Sequence, residues 1–204
     1  MANTIDFYFD YTSPFGYLAG ERIEAIAHSH QRELVWRPVL LGAIFKTTGQ
    51  TPLLDQPLKG EYSKKDIARS AREHDIPYQH PDNFPIAGVA ASRATLWLRD
   101  HALSENRAKT GAFVRTVYRA YFTQGKDITN PETVAELATS LKIDGKALLQ
   151  AISEQPAKDA LRTEVDNAVT AGVFGSPMMV VDGEAFWGDD RMAQLDRWLQ
   201  KGGW

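Results

Sequence analysis

Strand-forming residues occupy only the two ends of this chain, and the stretch between them is patterned as helix after helix. Ile5-Asp6-Phe7-Tyr8-Phe9-Asp10 alternates apolar and polar side chains with the period of two that a half-buried strand requires. A helix beginning around Pro14 and running through Leu18, Ile23 and Ile26 follows it. Glu33-Leu34-Val35-Trp36-Arg37-Pro38-Val39-Leu40 then reads as a second strand, which completes a βαβ unit. Strand character returns only at Met178-Met179-Val180-Val181. Asp182-Gly183 supplies a tight-turn signal before Glu184-Ala185-Phe186-Trp187, so these residues read as a β-hairpin. Gly188-Asp189-Asp190 opens a last helix carrying Met192, Leu195, Trp198 and Leu199. The ends therefore read βαβ and ββα around a helical insertion.

The insertion begins with a loop-like stretch from Gly42 to Pro57, rich in Gly, Thr, Pro and Gln. Helices are predicted over Tyr62–His74, Val89–Leu103, Arg107–Phe122, Pro131–Leu141 and Gly145–Ile152, with another over Ala157–Ala171. Ala90, Ala94, Trp97 and Leu98 fall at helical spacing, as do Phe113, Val117 and Tyr121, and these aromatic positions are read as core. Thr129-Asn130-Pro131-Glu132 resembles a capped helix start, with Asp127 or Asn130 as the side-chain acceptor. The domain division expected from this pattern places residues 1–41 and 160–204 in one discontinuous α/β domain and 42–159 in an inserted helical domain.

Composition narrows the function. The chain has 204 residues, 23 basic and 26 acidic, for a net charge of -3. That balance argues against nucleic acid as a partner. The longest apolar stretch, Pro38 to Phe45, is far too short to span a bilayer, and Met1-Ala2-Asn3-Thr4-Ile5-Asp6 has no secretory pattern. With no cysteine there is no disulfide scaffold, and a cytoplasmic protein is the expectation. His28 and His30 lie two apart, and His74, His80 and His101 form no ligand spacing, so no metal site is expected. Neither a phosphate-binding loop nor a G-x-S-x-G motif is present.

Ser13-Pro14-Phe15-Gly16 marks the junction of the first strand and its helix. Serine is a favoured N-cap and proline a favoured first helical residue, so one reading is that the pair simply starts a helix. The other is chemical. A reactive C-x-x-C pair is expected at this junction in thioredoxin-like proteins, and here serine and glycine stand at the two cysteine positions. Thiol–disulfide exchange needs a sulfur that this chain lacks, so a thiolate at this place has to come from a bound molecule.

Three ordered motifs give a resemblance that covers essentially the whole chain. Asp6-Phe7-Tyr8-Phe9-Asp10-Tyr11-Thr12-Ser13-Pro14-Phe15, Gly172-Val173-Phe174-Gly175-Ser176-Pro177 and Phe186-Trp187-Gly188-Asp189-Asp190-Arg191 together resemble the 2-hydroxychromene-2-carboxylate isomerase family, relatives of kappa-class glutathione transferases. Pro38-Val39-Leu40-Leu41-Gly42, Lys59-x-x-Tyr62 and Asp82-x-Phe84-Pro85 look similar to the same family. The resemblance implies an α/β fold, a thioredoxin-like domain with a large all-helical insertion, and glutathione as the source of sulfur. On it, Ser13 donates a hydrogen bond to the thiolate at the helix start formed with Pro14 and Phe15. Ser176-Pro177 looks like a cis-proline turn whose Ser176 backbone pairs with the cysteinyl part of glutathione, the alternative being an ordinary loop proline before a strand. Gly188-Asp189-Asp190-Arg191 resembles the γ-glutamyl site, with Asp190 as ammonium partner and Asp189 nearby, and Trp187 before it is a further cofactor-binding candidate; helix capping by Asp189 fits the same residues.

The resemblance also implies a reaction of aromatic hydrocarbon catabolism. Chromene and open benzylidenepyruvate forms interconvert when thiolate addition makes a conjugated double bond temporarily single. Substrate-side candidates are Lys46, opposite a carboxylate, with Gln50, Asp55, Gln56 and Phe84. Gln50 replaces a common asparagine and Phe84 a substrate-contacting tyrosine, departures that bear on selectivity. The expected partners are a small aromatic acid or electrophilic substrate and a second copy of the chain in a homodimer, with no nucleic acid or membrane. Irreversible conjugation by a kappa-like transferase, or a non-catalytic peptide-binding module, are the alternatives.

Overall fold

The computed structural model describes residues 3–100 and 108–204. The two ends of the chain meet in one mixed sheet of order β2-β1-β3-β4. Strand β1 (Thr4–Phe9) runs parallel to β2 (Glu33–Pro38) and antiparallel to β3 (Met178–Val181), which pairs antiparallel with β4 (Glu184–Trp187). Phe7 thus faces Trp36 in one neighbour and Met179 in the other. Asp182 and Gly183 turn the hairpin with φ of 52° and 86°, the left-handed pair that a two-residue turn demands.

The alternation in β1 serves two cores. Ile5, Phe7 and Phe9 are buried on one face with Trp36, Tyr118 and Phe122, where Phe7 and Trp36 meet edge to face at 5.2 Å. Tyr8 and Met178 are buried on the other face with Val39, Ile44, Ala168 and Val173. Each large side chain removed from water in this way stabilises the fold by about 1.5–3 kcal/mol. Ions join the sheet to the helices at its β2 edge. Arg37 bonds Asp6 at 2.6 Å, and Glu164, nearly buried, accepts from Arg99 at 3.0 Å and from Arg37 at 3.2 Å.

Two sequence expectations are corrected. The first helix is not continuous but splits into α1 (Pro14–Gly20) and α2 (Ile23–Ser29). Gly20, a poor helix former, ends α1 where its backbone packs on the Tyr118 ring, and Arg22 at the break reaches Asp189 at 2.8 Å. The stretch expected to be a loop contains α3 (Leu41–Thr48) and a 3₁₀ turn (Leu53–Asp55). Leu41, Ile44 and Phe45 supply helical spacing there, and Gly49 ends the helix in the left-handed region at φ 70°.

The remaining helices follow the sequence closely. They are α4 (Lys59–Glu73), α5 (Val89–Asp100), α6 (Thr110–Gln124), α7 (Pro131–Ser140), α8 (Gly145–Ser153), α9 (Gln155–Thr170) and α10 (Met192–Lys201). A short 3₁₀ turn, Asp189–Arg191, precedes α10. The expected helix end at Leu103, the start at Arg107, and His101 lie outside the described residues. Asn130, not Asp127, caps α7 by accepting the Glu132 N–H at 2.9 Å; Asp127 instead closes a turn onto Thr129. Among the described residues no helix is long and apolar enough to cross a membrane.

Candidate active site

The site grows from the end of β1. Ser13 has the extended backbone of an N-cap, φ −84° and ψ 112°, and Pro14 follows as the first helical residue. The Ser13 Oγ accepts the Gly16 N–H at 3.0 Å, so the helix-starting role is real. The same hydroxyl donates to the Ser176 carbonyl at 2.9 Å, which spends its only proton on the facing loop. The Ser176 carbonyl, which the resemblance pairs with the cysteinyl part of glutathione, thus accepts from Ser13 with one of its two lone pairs.

Ser176-Pro177 is cis, as the resemblance implies, and Phe84-Pro85 is a second cis bond that the sequence reading did not foresee. The Pro177 carbonyl accepts the Gly188 N–H at 2.9 Å, and Met178 pairs with Trp187 in the adjoining ladder. Ser13, Pro14, Ser176, Pro177, Trp187 and Gly188 are thereby held in one continuous structure. Phe15 is half-buried against the main core. Trp187 is 54% exposed, its ring edge-to-face with Phe174 at 4.9 Å, and only a glycine at 175 leaves space for its Nε1.

Position 16 has no room for a side chain. A Cβ there would lie 2.7 Å from the Tyr118 hydroxyl and 3.0 Å from both Ser13 Cβ and Ser176 Oγ. The second cysteine of a C-x-x-C pair thus could not be restored by substitution alone.

Sequence reasoning missed Asp10, the residue that joins these parts. Its Oδ1 accepts from Thr12 N–H at 2.7 Å and Thr12 Oγ1 at 2.9 Å, and its Oδ2 from Leu41 N–H at 2.6 Å. Its backbone carbonyl accepts from Ser13 N–H and from the Tyr118 hydroxyl, both at 2.9 Å, while its N–H donates to Ser176 Oγ at 2.9 Å. Burial pushes the Asp10 carboxyl up, against the Leu41 and Thr12 bonds that pull it down. The only sequence signal was an aspartate two residues before a threonine, which suggests an Asx turn and none of the long-range bonds.

The two aspartates of the third motif part company. Asp189 is buried and paired with Arg22; burial raises its carboxyl, with Arg22 and His74 opposing. Asp190 is exposed and, among the described residues, bonds the neighbouring Arg191 at 3.0 Å. Asp189 therefore fastens the 3₁₀ turn to the α1–α2 junction, and Asp190 is the carboxylate left facing solvent.

The substrate-side candidates are more dispersed. Lys46 is exposed on α3, Gln50 and Asp55 are exposed beyond it, and Gln56 is half-buried with its amide donating to the Thr51 carbonyl at 2.9 Å. Phe84 is half-buried on a separate segment, its ring 4.8 Å from His80. Among the described residues no hydrogen bond joins these side chains to one another or to Ser13. Both segments are nonetheless anchored beside the site, α3 through Leu41 to Asp10 and the Phe84 segment through Gly88, whose backbone lies against Tyr11. No group of three His, Cys, Asp or Glu side chains able to hold a metal occurs among the described residues.

The profile of the DSBA-like thioredoxin domain matches residues 4–200. A 2-hydroxychromene-2-carboxylate isomerase of Sphingobium xenophagum is 28% identical over 201 residues, covering 98% of this chain and 99% of the relative. Glutathione S-transferase kappa 1 of Rattus norvegicus is 27% identical over 208 residues, covering 96% of this chain and 92% of the relative. A solved 2-hydroxychromene-2-carboxylate isomerase superposes with a TM-score of 0.85 at 25% identity, over 97% of this chain and 95% of that one. With its mixed four-stranded sheet, inserted helices and cis-proline loop facing a helix start, the chain belongs to the DSBA-like thioredoxin domain family.

Proposed function

We propose that the protein is a glutathione-dependent isomerase acting on a 2-hydroxychromene-2-carboxylate-like aromatic acid. The observation that carries this reading is the Ser13 hydroxyl, fixed at a helix start against the cis-proline loop in a chain without cysteine. Full-length similarity to isomerases of that name supports the substrate class.

The residues fit glutathione. The Ser13 hydroxyl stands at a helix start against the cis-proline loop in a chain that supplies no sulfur of its own. Asp190, exposed beside Arg191, offers a carboxylate to an ammonium group, while Asp189 is buried against Arg22. When bound, glutathione supplies a thiolate whose reversible addition leaves a conjugated double bond single long enough to rotate, the sulfur departing unchanged.

The chain's own part is orientation and charge stabilisation. Ser13 would turn its proton from the Ser176 carbonyl toward the sulfur, and that carbonyl, with two lone pairs, could accept a peptide N–H of the ligand. Lys46 attracts the substrate carboxylate, and Phe84 offers an apolar wall in place of a hydroxyl.

Mixing purified protein with the chromene acid, with and without glutathione, tests the assignment by isomer absorbance and free thiol together. Isomerisation only with glutathione, and with thiol conserved, is expected. Thiol lost in proportion to product favours conjugation, the reading that similarity to kappa-class transferases supports. No reaction in either mixture would leave a binding module.

A further inference from the structure

The turn that presents Asp190 is fastened at two points, and only one of them belongs to the cis-proline loop. Gly188, at φ 105°, donates its N–H to the Pro177 carbonyl at 2.9 Å. Asp189, 6% exposed, is held from the other side by Arg22, whose Nη1 donates to Asp189 Oδ1 at 2.8 Å across 167 residues of sequence. Arg22 stands in the break between α1 and α2, at the far end of the helix that Ser13 caps. A Cβ at Gly188 would meet the Asp190 Oδ1 at 2.5 Å, so that carboxylate folds back over the Gly188 backbone, itself bonded to the cis-proline loop. Where Asp190 stands relative to Ser13 is therefore set on one side by Pro177 and on the other by Arg22.

We propose that Arg22 is a positioning residue for the γ-glutamyl end of glutathione, acting through Asp189 on the neighbouring Asp190 carboxylate. This assignment rests on the glutathione reading. Arg22 is half-buried and Asp189 buried, so their bond is shielded from water and directed, the kind that fixes where a carboxylate sits. Without the guanidinium, Asp189 is left buried and unpaired, which drives its carboxylate toward water. Asp190 is the next residue of the same 3₁₀ turn and moves with it. The Ser13 bonds to Gly16 and Ser176 do not involve Arg22, so the loss falls on the ammonium end of the ligand and spares the sulfur end.

Calorimetry with glutathione and with cysteinylglycine, the same thiol without its γ-glutamyl group, is the test. The wild type should bind glutathione more tightly of the two. Arg22→Ala should lose about tenfold in glutathione affinity while its cysteinylglycine dissociation constant stays within about twofold. Arg22→Lys and Arg22→Met have stems of similar length and differ in charge, so Lys should keep most of the preference for glutathione and Met lose it, whether or not the alanine variant folds. In an Asp190→Ala protein, Arg22→Ala should cost no more than about twofold further, because the carboxylate it positions is gone. A purely structural fastener would cost the same in either background. Equal effects on the two ligands, a wild type that does not distinguish them, or full additivity with Asp190→Ala would overturn the assignment while leaving the thiol site intact. A wild-type protein that binds neither thiol would overturn the glutathione reading and this assignment together.

Discussion

The proposed thiol side and the proposed substrate side of the site are built on opposite principles. Around Ser13, three distant parts of the chain converge on Asp10. Leu41 from the start of α3, Tyr118 from α6 and Ser176 from the cis-proline loop all bond it, and Ser13 closes onto Ser176. Around Lys46, by contrast, Gln50 and Asp55 stand in solvent, and among the described residues no hydrogen bond joins them to one another. Buried polar groups must satisfy each other, which fixes their geometry; exposed ones are satisfied by water and can change singly. On the proposed function, such a division would let substrate selectivity drift while the place for sulfur stays constant.

Removing the hub should break the comparison most visibly. Asp10→Ala strands the Leu41 and Thr12 donors and should lower the unfolding free energy by about 2–4 kcal/mol in urea titrations. A loss below about 1 kcal/mol would mean that the thiol side is no more tightly built than the substrate side. The pH dependence is a separate check. Because burial raises the Asp10 carboxyl, the folded chain holds that proton more tightly than the unfolded chain. Its contribution is greatest below the unfolded pKa of about 3.9 and falls as pH rises through the folded value. Asp10→Asn cannot titrate and should lose that part of the slope.

Ser13→Ala should leave the fold largely intact, because Pro14 still starts α1, and remove a donor to a charged sulfur. A hydrogen bond of that kind is worth about 1.5–3 kcal/mol, equivalent to a rise of about one to two pH units in the bound thiol pKa. Turnover should fall with it. An unchanged thiol pKa and unchanged turnover would reduce Ser13 to a cap.

The same contrast explains what was legible in the sequence. The strands, the Asp182-Gly183 turn and most helices are local patterns, and they were readable as such. Ser13, Ser176 and Gly188 stand in motifs legible in the sequence, and the structure joins them through the cis-proline loop. The Asp10 bonds to Leu41, Tyr118 and Ser176 span 31, 108 and 166 residues of sequence, and no periodicity encodes them. Helix α3 was hidden because Gly42, Thr47 and Thr48 weaken its propensity; burial of Ile44 beneath the sheet compensates, and that is a tertiary effect. The separate fates of Asp189 and Asp190 depended on Arg22, which becomes available only because the first helix breaks.

The smallest expected effect lies on the substrate side. Lys46 is exposed on α3, so its attraction to a substrate carboxylate is screened by water and salt. Lys46→Ala should raise KM for the aromatic acid by about 1.5- to 5-fold, with kcat and the bound thiol pKa unchanged. The KM increase should shrink as salt is added, because the interaction being removed is itself screened. Steady-state kinetics at two ionic strengths, with a thiol titration of the same protein, separate the two sides of the site. A shift in the thiol pKa on Lys46→Ala would mean that α3 transmits charge through Leu41 and Asp10 into the sulfur's surroundings, and the two regions would then be one electrostatic unit.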